Sequence, residues 1–220
     1  YILGTCVTQD LDKGLVSMNQ TAAIPTLVER FNLHNSLASS NTRTPMSQEQ
    51  LPRVEQTGRE SKSFPYLSAI GSLLYISLLT RPDISYAVGV CARYGAAYGP
   101  PHVRAMNKII EYPFVTRNYS IVFSHSSKLL NSSVRLHESG RPRVKDDDTL
   151  EKCINSSLET FCDADFAGDI TRRSTSGNIS FLYGSPLRWL SQLQKLYALS
   201  TAESGIYSAV EAVKDAALGV

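Results

Sequence analysis

FCDADFAGD (161–169) crowds Asp163, Asp165 and Asp169 into one short run of a 220-residue chain that carries 20 acidic and 22 basic side chains in all. Three kinds of structure use such a run. A calcium loop is the first. D-x-D-x-x-G-D sets Asp163, Asp165 and Gly168 where two ligands and the invariant glycine of an EF-hand stand. Ala167, however, occupies a ligand position, and Ser174 stands where a bidentate glutamate is required. The flanks read as strands rather than helices, so calcium is rejected. A surface turn is the second possibility, since Asp and Gly favour turns for backbone reasons. A turn accounts for Gly168 and Asp169 but leaves Asp163 unexplained. LETFCDADFAG (158–168) reads as a strand, and an acid inside a strand needs a partner or a function.

The third possibility is a site shared with a distant residue. Ser200-Thr201-Ala202-Glu203 opens a strong predicted helix, STAESGIYSAVEAVKDAAL (200–218). If that helix packs on the sheet, Asp163 and Glu203 can converge. Paired carboxylates on rigid elements suit Mg²⁺, and two such ions can activate a water and stabilise the leaving oxygen of a phosphodiester. Against this stands a local explanation. S-x-x-E is a capping box, in which Ser200 bonds forward and Glu203 bonds back. The residues by themselves favour the cap.

Working outward, STSGNISFLYG (174–184) and SPLRWLSQLQ (185–194) read as two more strands. Three strands followed by a helix predict a small mixed-sheet domain over 159–220. Residues 117–158 mix Ser, Asn, Lys and Arg with the run Asp146–Asp147–Asp148. They read as a linker, with the acidic run solvated and assigned no metal. Residues 1–116 form a first, largely helical domain. It begins with a hairpin over 1–20, turning at DLDKG, and a short helix in PTLVERFNL (25–33), where Pro25 suits the first turn. Residues 35–64 read as a polar connector. YLSAIGSLLYISLL (66–79) carries Leu67, Ile70, Leu74 and Leu78 near helical spacing. TRPDISYAVGVCARY (80–94) restarts at Pro82, with Ile84, Val88 and Cys91 on one face. HVRAMNKIIEY (102–112) carries Val103, Met106 and Ile110, and Pro113 is expected to end it. These stripes are read as core.

Composition narrows the class. Hydrophobic residues make up 42%, which fits a globular protein. The formal net charge of +2 makes no whole-chain case for or against nucleic acid. The four cysteines (Cys6, Cys91, Cys153, Cys162) lack metal-ligand spacing and are expected as reduced thiols, and the four histidines are scattered. AIGSLLYISLL (69–79), the longest apolar run, is too short to span a bilayer, which needs about 20 residues. No membrane partner is expected. YILGTCVTQD has neither an initiator Met nor a signal-peptide pattern, and EAVKDAALGV stops in mid-helix. The expectation is a chain cut into at both ends.

DADFAGD, then TRRSTSG, then W-x-S-x-x-Q ending in ALSTAE resemble the ribonuclease H region of copia-type LTR retrotransposon polyproteins. The match runs without a gap from Trp189 through Ser191, Gln194, Ser200 and Glu203 to Lys214. Upstream, YILGTCVTQD, LVERF, TPM, YLSAIGSLLYISLLTRPDISYAVGV and HVRAMNKIIEY resemble the same family's segment between the polymerase palm and ribonuclease H. The resemblance covers nearly the whole chain and rests on several independent blocks in order.

What it implies is concrete. The fold would be α+β: a thumb- or connection-like helical segment, then a truncated ribonuclease H-like sheet with its packed helix. The parent polyprotein would carry out RNA-directed DNA synthesis and cleave the RNA strand of RNA–DNA hybrids, using Mg²⁺. Asp163 would be the first catalytic acid and metal ligand, and Glu203 the helix acid. Arg172 and Arg173 could approach a phosphate backbone, and a solvated turn explains them equally. Partners would be nucleic acid and the rest of the polyprotein, in a cytoplasmic virus-like particle or the nucleus.

Departures from the family pattern matter as well. The polymerase signature Tyr-Val-Asp-Asp and the later ribonuclease H acids are absent from this sequence. Phe166 replaces the usual Trp, and Gln192 and Leu193 stand where a basic pair is common. Gly205 and Ile206 replace a Glu-Tyr pair, at about 1 kcal/mol for a glycine inside a helix. Three expectations follow: a segment of Pol inactive by itself, a non-catalytic nucleic-acid binder using Arg81, Arg93, Arg104, Lys108 and Arg117, or a functionless relic.

Overall fold

Residues 4–33, 42–47, 51–52, 64–124, 158–182 and 184–218 are described in the computed structural model. Within them the N-terminal hairpin forms as expected. β1 (Cys6–Asp10) pairs antiparallel with β2 (Leu15–Asn19) around a turn in which Gly14 takes a left-handed φ of 60°. A third strand, β3 (Ile121–Ser124), pairs antiparallel with β2, Met18 lying opposite Ile121. This strand comes from the stretch read as linker, so the first sheet draws in the start of that stretch. Residues 125–157, including Cys153 and the Asp146–Asp148 run, lie outside the described residues.

The helical core sits beside this sheet. α1 (Ala23–Arg30) carries Pro25 in its first turn and buries Ile24, Leu27 and Val28. α2 (Tyr66–Leu79) occupies the span expected, but its buried face differs from the expected stripe. Tyr66, Ala69, Ile70, Leu73 and Ile76 face inward, while Leu67 and Leu78 are 67% and 61% exposed. The helix is apolar nearly all round, so helical spacing alone could not select the inward face. The Tyr66 hydroxyl, fully buried, donates to the Cys91 carbonyl at 3.0 Å, and its ring stacks on Tyr98 at 4.3 Å.

A single 3₁₀ turn, Pro82–Ile84, leads into α3 (Ser85–Ala92), which buries Ala87, Val88 and Cys91. α4 (Pro100–Val115) places Met106, Ile109 and Ile110 in the same core. Pro113 does not end this helix. It falls in the last turn, where its missing N–H forfeits one backbone bond, and Thr116 closes the end with both its N–H and its hydroxyl on the Tyr112 carbonyl.

The second sheet contains β4 (Leu158–Asp165), β5 (Thr175–Leu182) and β6 (Ser185–Leu193) in that order. Both pairings are antiparallel, so the described sheet is not mixed. α5 (Thr201–Leu218) lies on it. Helices and two small antiparallel sheets make the α+β class expected.

Two contacts fasten the second sheet to the helical core. The Trp189 indole N–H of β6 donates to the Ser77 carbonyl of α2 at 2.6 Å. The Arg93 guanidinium, at the end of α3, holds Asp169 and the Thr175 hydroxyl.

Candidate functional site

Asp163 stands in the middle of β4, opposite Gly177 of β5. Strand alternation puts its side chain on the same face as Phe161 and Asp165. That face borders a cleft of about 640 Å³ between the sheet and the start of α3, lined by Pro82, Asp83 and Tyr86 on one wall and by Phe161, Asp163, Asp165 and Trp189 on the other. The Asp163 carboxylate is exposed, and Oδ1 accepts the Ala164 N–H at 2.8 Å. The Asp165 carboxylate folds back over Gly168 so closely that a Cβ there would collide with it. Burial and the charge of Asp165 push the Tyr86 phenol above its usual range; Asp169 adds to the effect and Arg93 opposes it.

Glu203 lies in the first turn of α5, and α5 packs on the opposite face of the sheet. That face is bonded to it through side chains of the other parity. Asn178 donates to Asp215 at 3.1 Å, Arg188 pairs with Asp215 at 2.8 Å, and Gln194 bridges the Ser176 hydroxyl and the Ser204 carbonyl, both at 2.9 Å. Small residues let the helix approach closely, and the buried Ser208 hydroxyl donates to the Asp163 backbone carbonyl at 2.6 Å. The Glu203 carboxylate is occupied locally. Oε2 accepts the Leu199 N–H at 2.7 Å, Oε1 accepts the Tyr207 hydroxyl at 3.2 Å, and the Glu203 N–H donates to Ser200 Oγ at 3.1 Å. This is the capping arrangement the sequence favoured, with the backward bond reaching one residue past Ser200.

The structure therefore holds Asp163 and Glu203 in one small sheet-and-helix unit, and no contact joins their carboxylates. Mg²⁺ asks for several hard oxygens in near-octahedral array. Asp163 and Glu203, with no contact between their carboxylates, do not by themselves supply that array. Among the described residues, no group of three or more His, Cys, Asp or Glu side chains is placed to hold a metal ion.

Asp169, the last acid of the opening stretch, is structural. It is 7% exposed. Its Oδ2 accepts the Thr171 N–H at 2.9 Å and hydroxyl at 2.5 Å, and Oδ1 meets Arg93 Nη1 at 2.5 Å. Burial pulls its pKa upward, but the Thr171 bonds and Arg93 outweigh this and hold it below the usual carboxylate value. The loop it organises carries Arg172 in a left-handed φ of 64° with its side chain exposed, and Arg173 with its guanidinium 5.3 Å from the Tyr197 ring centroid.

The cations named as nucleic-acid contacts divide in two. Arg81 is buried: it holds Asp83 at 2.7 Å and the Thr116 hydroxyl at 2.6 Å, between the rings of Tyr112 and Tyr119. Arg93 is spent on Asp169. These two are internal ties, a correction to their reading as a binding stripe. Arg104 is exposed, Lys108 reaches Ser47 Oγ at 3.2 Å, and Arg117 lies over Phe114. The Arg81–Asp83 pair is local, two residues apart in RPD, but the Thr116 acceptor that completes its burial lies 35 residues away, and nothing local in CARY announces the Arg93–Asp169 pair, whose partner lies 76 residues away. Cys6, Cys91 and Cys162 are free thiols, and burial pushes Cys91 up to about 11, which makes it inert. No helix among the described residues is long and apolar enough to cross a membrane.

By sequence similarity this chain belongs to the retrovirus-related Pol polyproteins of copia-type transposons. The Pol polyprotein of transposon TNT 1-94 from Nicotiana tabacum is 31% identical over 219 residues, which is 97% of this chain and 14% of that protein. The Pol polyprotein of transposon RE1 from Arabidopsis thaliana is 28% identical over 188 residues, 85% of this chain and 11% of that protein. Secreted RxLR effector protein 161 from Plasmopara viticola is 31% identical over 156 residues, 70% of this chain and 91% of that protein. The chain thus spans a small part of the polyproteins and nearly all of the effector. No family model matches it. No solved structure matches it either.

Proposed function

We propose that this chain is the stretch of a retrotransposon Pol that joins the polymerase to a ribonuclease H-like unit, and that by itself it positions rather than catalyses. Residues 1–124 would correspond to the connection segment and 158–218 to the first strands and helix of the ribonuclease H-like unit. The observation that carries the reading is the state of the two acids. Asp163 faces an open cleft, while Glu203 caps its own helix, each of its oxygens holding a local donor, and no contact joins the two carboxylates. A magnesium ion serving RNA hydrolysis in such a Pol would supply an activated water, and it would need more oxygen ligands than these two residues provide. The partners would be the rest of the polyprotein and, through it, an RNA–DNA hybrid. The test is hybrid cleavage by the purified chain with Mg²⁺. No cleavage is expected, and cleavage that disappears in Asp163→Asn would overturn the reading.

The alignment with nearly the whole of the Plasmopara viticola effector favours a second reading, a stand-alone body that binds a partner without catalysis. Nucleic acid would be held through Arg104, Lys108, Arg117 and the Arg172–Arg173 loop, with Arg81 and Arg93 excluded. Phosphate contacts of this kind weaken steeply with salt. Absence of hybrid binding at low salt removes this reading and leaves the first intact.

A further inference from the structure

The first turn of α4 is built on a histidine that must stay neutral. Gly99 is the N-cap, Pro100 and Pro101 follow, and His102 occupies the third helical position, fully buried. Its Nδ1 accepts the Gly99 N–H at 3.1 Å, the place a Glu or Gln side chain takes in a capping box. Nε2 therefore carries the proton of the neutral ring. It is buried without a hydrogen bond of good geometry, and the acceptor acting on it is the Pro52 carbonyl. The ring lies 4.3 Å from that of Tyr94, whose hydroxyl donates to the Leu51 carbonyl at 2.9 Å. One imidazole thus serves the helix cap and, directly and through Tyr94, the Leu51–Pro52 segment.

A second proton on this ring has no place to go. Protonated Nδ1 would point an N–H at the Gly99 N–H, turning an acceptor into a clash of two donors. Among the described residues, Tyr94 is the titratable side chain against the ring and no charged side chain acts on it; only the Pro52 and Gly99 backbone favours a second proton, and burial outweighs it. We propose that His102 is a proton-operated latch: in mild acid it leaves its pocket, uncaps α4 and frees Leu51–Pro52 from the corner between α3 and α4.

The direction of the linkage is fixed. Burial holds the folded imidazole below its ordinary value of 6.5, so its contribution to stability is complete above that value and is lost as the pH falls below it. One proton changes the opening equilibrium by at most about tenfold per pH unit.

The test is hydrogen exchange of the Gly99 amide in the intact chain between about pH 7.5 and pH 5, after correction for intrinsic exchange, with the imidazole signals followed by NMR. Protection is expected to fall as His102 titrates, by up to about tenfold per unit. His102→Gln keeps an acceptor for Gly99 and removes the titration, so its protection should be flat across the range. Tyr94→Phe should loosen Leu51 at every pH without altering the slope. Undiminished Gly99 protection with a protonated His102, or the same slope in His102→Gln, would overturn the latch. If His102→Gln does not fold, the wild-type imidazole titration and Gly99 protection decide alone: coincident midpoints support the latch, and separate midpoints reject it.

Discussion

Arg93 and Asp169 form a short ion pair, 2.5 Å from Nη1 to Oδ1, across the seam between the helical core and the loop that follows β4. Asp169 is almost fully enclosed and Arg93 retains some exposure, with side chains 5% and 20% accessible. Removing one partner strands the other. Arg93→Ala should therefore lose about 3 kcal/mol in chemical denaturation. Arg93→Met paired with Asp169→Leu should recover part of that loss, since a matched apolar pair leaves no orphaned charge. A loss in the single variant equal to an ordinary surface substitution would show that the seam does not depend on this pair.

The same pair sets an acid limit. Asp169 is held below 3.8 in the folded chain, so its contribution is complete above that value and is lost as the pH falls through the lower, folded value. Stability measured from about pH 5 downward should decline in the wild type. Asp169→Asn, which has no proton to gain, should show a shallower decline from a lower starting stability.

Ser200, Glu203 and Asp163 separate a cap from a site. Ser200→Ala should cost about 1 kcal/mol, because it deprives the Glu203 N–H of its acceptor. Glu203→Gln should be nearly neutral, since glutamine serves a capping box as well. Asp163→Asn should also be nearly neutral, because its carboxylate is exposed, forms no ion pair among the described residues, and accepts from the Ala164 N–H a bond that an asparagine oxygen can also accept. Thermal melts of the three variants check the pattern. A large gain in stability on Asp163→Asn would instead reveal repulsion between Asp163 and the other acids of the cleft.

Arg81 should not tolerate lysine. Its guanidinium makes a two-point contact with Asp83, reaches the Thr116 hydroxyl and carbonyl, and lies between two aromatic rings. An ammonium has neither the planar fork nor the span. Arg81→Lys should cost about 3 kcal/mol, read from urea midpoints.

Trp189→Phe keeps an aromatic ring in the seam and removes the donor to Ser77. A loss of about 1 kcal/mol is expected, with the Ser77 carbonyl left short of its partner. Arg93→Ala and Trp189→Phe bear on the same seam, so the double variant should depart from additivity. Strict additivity would mean that the two ties act independently.

Local chemistry determined much of this molecule from sequence alone. The hairpin before residue 20, the span of α2, the three strands after Leu158 and the helix after Ser200 all follow from turn residues, propensity and period, which act within a few positions. The Ser200–Glu203 cap was legible for the same reason. Tertiary structure alone decided the rest. It chose the inward face of α2, where an all-round apolar surface left the period silent, and carried α4 past Pro113, whose lost bond lies in the last turn. It also made Arg81 and Arg93 internal ties and Asp169 a buried anchor, because a hydrogen bond to Thr116 closed across 35 residues and an ion pair closed across 76 leave no mark in local spacing. FCDADFAGD named the acids that mattered. Only the packing of α5 on one face of the sheet and α3 beside the other could assign Asp163 to a cleft and Asp169 to a seam.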